Sequence, residues 1–176
     1  MKKIVLIWII FTLGCSPKTA EQFIKLGDRQ KSFAMKERNY EKALELDSLN
    51  LKASNRIGYL YMYSKNPNEL DKSRKYFIKV LEIDSNNITS LFGIGETYKT
   101  EAMKNDSVNV NTLERAIYFY SKAIMIDSND VSAIYQRAYS YHYINDSINC
   151  YKDNKRACDL GFNTSCSVIE KEHNKK

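Results

Sequence analysis

The sequence predicts an all-α protein built as an array of helix pairs, and three observations support this fold class. A seven-residue phrase occurs three times, at 44–50, 81–87 and 124–130, each time ending in Asp-Ser, one further residue and then Asn or Asp. Apolar residues recur at three- and four-residue spacing, as in 76–83, which indicates amphipathic helices. No segment alternates with period two. Arrays of this kind present an extended surface more often than a closed pocket.

The spacing of the phrase divides the chain into units. Asp47 and Asp84 are 37 residues apart, Asp84 and Asp127 are 43 apart, and Asp127 and Gly161 are 34 apart. The basic period is therefore 34, with insertions of three and nine residues. We predict units at about 20–50, 51–87, 88–130 and 131–163, a capping helix at 164–173 and a frayed tail at 174–176. The longer insertion, around Asn105 to Asn111, is expected to lengthen the first helix of the third unit, its turn, or both.

Each unit repeats small and large residues at fixed positions. The third unit shows the pattern most fully, with Leu91, Ile94, Gly95, Tyr98, Ala116, Tyr120, Ala123 and Ser128. This pattern resembles the tetratricopeptide repeat, which implies a right-handed helical-hairpin solenoid of about four repeats with a C-terminal capping helix. Gly58, Gly95 and Ala138 are expected where the first helix of a unit (helix A) crosses the second (helix B) most closely. Asn154 departs from the aromatic residue expected at its position.

The first fifteen residues have the layout of an export signal. Lys2 and Lys3 precede an apolar run from Ile4 to Phe11, and Gly14-Cys15 follows soon after. This order of charged, apolar and small residues is typical of a secretory signal peptide. The run is too short to span a membrane. A buried apolar helix is the alternative interpretation.

The end of this segment resembles the lipobox of bacterial lipoproteins, although Thr12 stands where that pattern usually has Leu. The resemblance implies a signal peptide at 1–14, acylation of Cys15 and a lipidated linker at 15–19. Two or three acyl chains, at about 0.8 kcal/mol per buried methylene, would hold the protein on a membrane. Ser16 after the cysteine resembles the outer-membrane sorting pattern of enterobacteria, which implies the outer membrane of the bacterial cell envelope.

The charge pattern argues against nucleic-acid binding. The formal net charge is +6, and lysines and arginines alternate with acids along the chain. This alternation is typical of solvated helix surfaces and not of a basic stripe. The expected partners are a protein or peptide and, through the lipid anchor, a membrane.

The resemblance also implies an inner wall formed by the A helices. The corresponding positions are Lys52, Asn55, Tyr59, Met62, Thr89, Phe92, Glu96, Lys99, Ser132, Tyr135, Tyr139 and His142. Among them we predict eight ligand-binding residues: Asn55, Tyr59, Phe92, Glu96, Lys99, Tyr135, Tyr139 and His142. Large rings with polar tips favour extended peptides or the faces of sugars. Each of these aromatic residues can instead belong to the core.

Function is accordingly predicted as a class. The resemblance implies a non-catalytic, lipid-anchored adaptor or scaffold that mediates protein–protein interaction at the bacterial envelope. The alternative is an envelope lipoprotein that binds glycan through an aromatic wall. The acids other than Glu96 are expected on outer faces, so no carboxylate pair for hydrolysis is predicted.

Three cysteines follow Cys15, at positions 150, 158 and 166. Cys150 and Cys158 share one helix and lie about 12 Å apart, too far for a disulfide. Cys158 and Cys166 flank the turn at Phe162 symmetrically, and we predict that they form a disulfide. Three reduced cysteines that pack between helices are the alternative.

Few residues suggest chemistry. The two histidines, His142 and His173, and the spacing of the cysteines match no metal site, so neither a metal nor a cofactor is predicted. Asp106-Ser107-Val108 resembles an O-glycosylation acceptor of exported bacterial proteins, which implies a glycan on Ser107. Asp and Ser also favour turns and helix caps without any modification.

Overall fold

The computed structural model describes residues 18–64, 66–104 and 107–173. Within these ranges the chain is all-helical, as predicted, and contains nine α-helices and one turn of 3-10 helix at Pro67–Glu69. The helices are α1 Ala20–Arg29, α2 Phe33–Leu46, α3 Leu51–Met62, α4 Leu70–Ile83, α5 Ile88–Ala102, α6 Val110–Ile126, α7 Val131–Tyr143, α8 Ser147–Asp159 and α9 Asn163–His173. Cys15, the predicted signal peptide and the tail at 174–176 lie outside the described residues.

The helices pair in chain order into a helical-hairpin solenoid. Each of α1, α3, α5 and α7 packs against the helix that follows it, α9 packs on α8, and α3 also contacts α1 and α5. We call α1–α2, α3–α4, α5–α6 and α7–α8 the first to fourth units. Of the helices in the described ranges, none is long and apolar enough to cross a membrane.

The repeated phrase forms the turn between units and the cap of the next helix. Asn50, Asn87 and Asp130 are the N-cap residues of α3, α5 and α7, and the side chain of each accepts a hydrogen bond from a backbone N–H three residues later. These bonds are 2.9–3.1 Å long. An N-cap of this kind satisfies a backbone donor that the helix itself leaves unpaired. The phrase recurs because each unit needs the same helix start.

A helix-A glycine against a helix-B ring forms the interior of the first three units. The pairs are Gly27 with Tyr40, Gly58 with Phe77 and Gly95 with Tyr120. A Cβ on these glycines would lie 2.4, 2.7 and 2.6 Å from the ring. All three rings are buried. Close approach of the two helices therefore depends on the absence of a side chain, as the small residues at these positions predict.

Relative to the second unit, the insertion in the third unit lengthens both of its helices. Helix α5 has 15 residues where α3 has 12, and α6 has 17 where α4 has 14. The backbone N–H of Asn109 bonds to the carbonyl of Ala102 at 3.0 Å and closes the described part of the turn. Part of the insertion thus extends helix packing instead of forming a loop.

Candidate functional site

The A helices carry the predicted inner wall, and most of its residues are at least partly accessible. Lys52, Thr89, Ser132 and His142 are exposed, while Asn55, Tyr59, Phe92, Glu96, Lys99, Tyr135 and Tyr139 are half-buried. Met62 is the exception. It is only 7% exposed and belongs to the core, so its placement on the open wall was wrong. It lies in the last turn of α3, where the long side chain is turned inward.

Between α3 and α5 the wall is held together by its own polar groups. The buried Ser90 hydroxyl donates to the Asn55 side-chain oxygen at 2.7 Å. The Tyr59 hydroxyl donates to the backbone carbonyl of Thr89 at 3.2 Å. Burial raises the pKa of Tyr59 to about 12. Two predicted ligand-binding residues therefore also join neighbouring units.

The centre of the wall is a charged cluster around Glu96. Its carboxylate accepts a hydrogen bond from the Tyr120 hydroxyl at 2.6 Å and forms an ion pair with Lys99 at 2.8 Å. Lys99 also donates to the Gln136 side chain on α7 at 2.8 Å. The Glu96 and Lys99 side chains are each 14% exposed. Burial, with the negative charge of Glu96, raises the pKa of Tyr120. The cluster is neutralised internally and links the third unit to the fourth.

Phe92, also predicted to bind ligand, is engaged in packing. Its ring lies 5.7 Å from that of Tyr120, centroid to centroid, and it packs against two of the buried clusters. It remains partly accessible. Phe92 thus contributes to the core of the third unit as well as to the wall.

The C-terminal end of the wall is aromatic. The Tyr139 and Tyr143 hydroxyls are 3.1 Å apart and their ring centroids 4.9 Å apart. The ring centroids of Tyr135 and Phe162 are 4.8 Å apart, and those of His142 and Tyr143 are 5.4 Å apart with the two rings nearly perpendicular. The hydrogen bond with Tyr143, together with burial, raises the pKa of Tyr139 to about 12. The sequence pattern did not select Tyr143, although it lies one helical turn after Tyr139.

A cavity opens at each end of the wall. The N-terminal cavity has a volume of about 370 Å³ and is lined by Asp28, Lys31, Phe33, Lys36, Tyr40, Arg56, Tyr59, Leu60 and Tyr63. The C-terminal cavity, also about 370 Å³, is lined by Tyr135, Ala138, Tyr139, His142, Cys150, Asn154, Val168 and Lys171. Three cations and one acid make the first cavity basic, while rings and small apolar groups dominate the second.

The interior of the fourth unit contains a buried ion pair that the sequence did not reveal. Arg137 of α7 donates two hydrogen bonds to the Asp153 carboxylate, at 2.7 and 2.8 Å, and one to Ser121 at 3.0 Å. Asp153 is 6% exposed, so the expectation that acids other than Glu96 lie on outer faces was wrong for this residue. Burial lowers the pKa of Arg137, but the hydrogen bond and charge of Asp153 outweigh it and raise that pKa overall.

The structure joins Cys158 and Cys166 in a disulfide, with their Cα atoms 4.7 Å apart. The bond connects α8 to α9 and so attaches the capping helix to the last unit. Cys150 is buried elsewhere in α8. Ser107, the predicted glycosylation site, is exposed, while Asn105 and Asp106 before it lie outside the described residues.

No group of three or more His, Cys, Asp or Glu side chains in the described part of the chain is arranged to hold a metal ion. The wall nevertheless offers groups suited to binding. Amides, hydroxyls and charged groups are present beside rings, and two cavities extend the surface that a ligand can contact.

Solved structures share this architecture. The crystal structure of TTC0263, a thermophilic TPR protein in Thermus thermophilus, gives a TM-score of 0.69 at 12% identity and covers 81% of this chain and 75% of that one. The crystal structure of MamA protein gives 0.63 at 17% identity, with coverage of 80% and 72%. MamA MSR-1 C2 gives 0.61 at 18% identity, with coverage of 84% and 79%.

These likenesses show the fold, which is that of tetratricopeptide-repeat solenoids. At 12–18% identity they extend to the fold alone. No protein-family model and no curated protein matches the sequence.

Proposed function

We propose that this protein is a non-catalytic adaptor that holds an extended segment of a partner protein along its inner wall. The observation that carries the proposal is the position of the two cavities. One is lined by residues of α1, α2, α3 and the α1–α2 turn, the other by residues of α7, α8 and α9. A ligand that uses both must run along the array, which suits a polypeptide better than a compact substrate.

The wall between the cavities supports the same proposal. Its polar groups are already bonded to one another, as in the pairs Asn55–Ser90 and Glu96–Lys99. A surface whose groups are held in place loses little conformational freedom when a ligand binds. The basic N-terminal cavity, with Lys31, Lys36 and Arg56 around Asp28, favours an acidic part of the bound segment.

We further propose that the protein is located at the bacterial cell envelope, where lipid on Cys15 anchors it in the outer membrane. The support is the N-terminal sequence, with its lysines, apolar run and Gly14-Cys15. A disulfide between Cys158 and Cys166 agrees with export, because such bonds persist in oxidising compartments. The anchor would place the inner wall close to the membrane surface.

The test is crosslinking in intact cells, followed by detergent extraction and mass spectrometry of what co-purifies. We expect one envelope protein in stoichiometric amount, lost when Lys31→Glu and Lys36→Glu reverse the charge of the N-terminal cavity. Lys75→Glu with Lys79→Glu is the matched control, since both residues are exposed on α4 and outside both cavities. Cys15→Ala should move the protein out of the membrane fraction.

Recovery of the protein without any stoichiometric protein partner would contradict the adaptor. If only carbohydrate co-purifies, the aromatic wall becomes a glycan site. One observation favours that alternative, namely that Tyr143 is 38% exposed beside Tyr139. Retention on immobilised oligosaccharide that is lost in Tyr135→Ala and Tyr139→Ala would identify it, whereas an adaptor shows no such retention.

A further inference from the structure

The C-terminal cavity lies where the fourth unit lacks an aromatic ring. In the first three units a ring from helix B, namely Tyr40, Phe77 or Tyr120, packs against a glycine of helix A. Counted from the end of the unit, the residue at this place in the fourth unit is Asn154, and the glycine is replaced by Ala138. Both residues line the cavity. The fourth unit therefore has an opening beside the position that the rings fill in the other units.

Asn154 does not fill this space. Its side-chain amide turns back along α8 and donates to the carbonyl of Cys150 at 3.0 Å. The side chain is 5% exposed, so it forms part of the floor of the cavity. The remaining volume of about 370 Å³ falls within the range of about 300–1,000 Å³ that is usual for ligand pockets.

The lining favours an aromatic occupant. Tyr135, Ala138 and Tyr139 of α7 line the cavity together with Val168 of α9. Rings pack well against tilted rings and small apolar groups. Lys171 lines the same cavity and is exposed, so it can pair with a carboxylate beside the bound ring.

The N-terminal cavity differs from the C-terminal one because an aromatic ring of helix B lines it. There the ring of Tyr40 is present, and its hydroxyl donates to Asp28 at 2.8 Å. The cavity beside it is bordered by Lys31, Lys36 and Arg56. It therefore suits charged groups, whereas the C-terminal cavity suits a ring.

We propose that the C-terminal cavity binds an aromatic side chain of the partner polypeptide, with an acidic residue next to it. The bound ring lies against Ala138, next to the position of the Tyr40, Phe77 and Tyr120 rings in the other units, because the Cβ of Ala138 excludes a ring from that position itself. This inference rests on the proposed adaptor function, since it names the chemistry of the segment that the wall holds.

The first experiment uses pools of seven-residue peptides whose central residue is fixed as Phe, Tyr, Trp, Leu, Ala or Lys, with the other positions random. Binding to the purified full-length protein in detergent micelles is measured for each pool. We expect at least tenfold more binding for the three aromatic pools than for the Ala pool, and enrichment of Asp and Glu next to the ring. Equal binding of the aromatic and Ala pools would overturn the proposal.

A variant that completes the repeat within the chain sharpens the test. Ala138→Gly together with Asn154→Phe installs the glycine and ring of the other units, and it should reduce binding of the aromatic pools to the level of the Ala pool. Ala138→Gly alone is the matched control, because it leaves the cavity open and should keep the preference. Unchanged aromatic binding by a folded double variant would contradict the inference.

Nuclear magnetic resonance on the unmodified protein tests where the peptide binds, even if the double variant fails to fold. Titration with the best aromatic peptide should shift the signals of Ala138, Asn154 and Val168. Shifts confined to α1–α3 would place the ligand elsewhere and overturn the proposal.

The adaptor function and the aromatic cavity can fail independently of each other. If a partner protein is crosslinked in cells but the double variant retains it, the adaptor stands and the aromatic cavity is wrong. If no partner protein is crosslinked, the adaptor itself is wrong.

Discussion

The third and fourth units are built on the same helix pair but have different interiors. In the third unit the ring of Tyr120 packs on Gly95 and its hydroxyl bonds to Glu96. In the fourth unit the corresponding helices are joined by the ion pair of Arg137 and Asp153, and a cavity remains beside Ala138. An aromatic side chain fills the interior of the third unit, whereas an ion pair joins the two helices of the fourth.

The difference shows that the hairpin is specified by its ends as well as by its interior. The helix starts in both units carry the same cap, Asn87 in one and Asp130 in the other. Burial of apolar area stabilises the third unit whatever the exact orientation of the buried groups. A buried ion pair, in contrast, needs close, well-aligned geometry to offset the desolvation of its charges. Because an ion pair joins the helices of the fourth unit and no ring fills the space beside Ala138, room for a ligand remains there.

The largest effect is expected from removal of the ring of the third unit. Tyr120→Ala should lower the free energy of unfolding by about 4 kcal/mol, because it leaves a cavity in a buried cluster. Asn154→Ala, at the corresponding position of the fourth unit, should cost only about 1 kcal/mol for its lost hydrogen bond. Urea denaturation of the two variants compares them directly. Equal losses would show that the two interiors do not differ as described.

The next effect concerns the ion pair. Asp153→Ala leaves the half-buried charge of Arg137 without its partner and should destabilise the protein by about 3 kcal/mol. Arg137→Met combined with Asp153→Leu should recover most of that loss, since the pair is then replaced by apolar groups. The measurement is again urea denaturation.

The exposed pair of Lys155 and Asp159 provides the control for the ion pair. Asp159→Ala should have no measurable effect, because water already solvates both charges. A loss for Asp153→Ala no larger than this control would contradict the importance of the buried pair.

A smaller, local effect is expected where the fourth unit meets its cap. Replacing Cys158 and Cys166 by Ser opens a short disulfide loop and should cost about 2 kcal/mol. The loss should appear as faster amide hydrogen exchange in α9 and not in α5. Reduction of the unmodified protein should have the same effect. Unchanged exchange in α9 would show that packing alone holds the cap.

The smallest effect is a loss of stability at alkaline pH, to which Tyr120 of the third unit contributes. The folded protein raises the pKa of Tyr120, and those of Tyr40 and Tyr59 to about 12, above the ordinary value of 10.0. The folded state thus holds protons that the unfolded state has lost, so stability is full below pH 10 and falls as pH rises from 10 towards 12.

Thermal melts between pH 8 and 11.5 measure this fall. Tyr120→Phe should make it shallower, since one of the hydroxyl groups is removed. Tyr118→Phe is the control, because that ring is exposed on the same helix. A fall of the same steepness in Tyr120→Phe and in the unmodified protein would exclude a contribution from Tyr120.

The positions of many wall residues were predictable from the sequence, but their hydrogen-bond partners were not. The resemblance to the tetratricopeptide repeat implied that Asn55, Tyr59, Glu96 and Lys99 lie on the A helices, and the structure places them on α3 and α5, half-buried. Their partners were not predictable, because Asn55 bonds to Ser90, 35 residues away, and no local pattern encodes such a bond. Their role in binding a ligand stays a prediction.

The amino-acid pattern alone was enough to predict the all-helical class, the turns and the close helix crossings. These features depend on interactions over three or four residues, such as the Asn87 cap, or on a glycine that leaves room for a ring. The folded arrangement was needed to reveal that Arg137 meets Asp153, that Met62 turns inward and that a cavity opens beside Asn154. Those outcomes depend on how whole helices are placed relative to one another, which a short stretch of sequence does not specify.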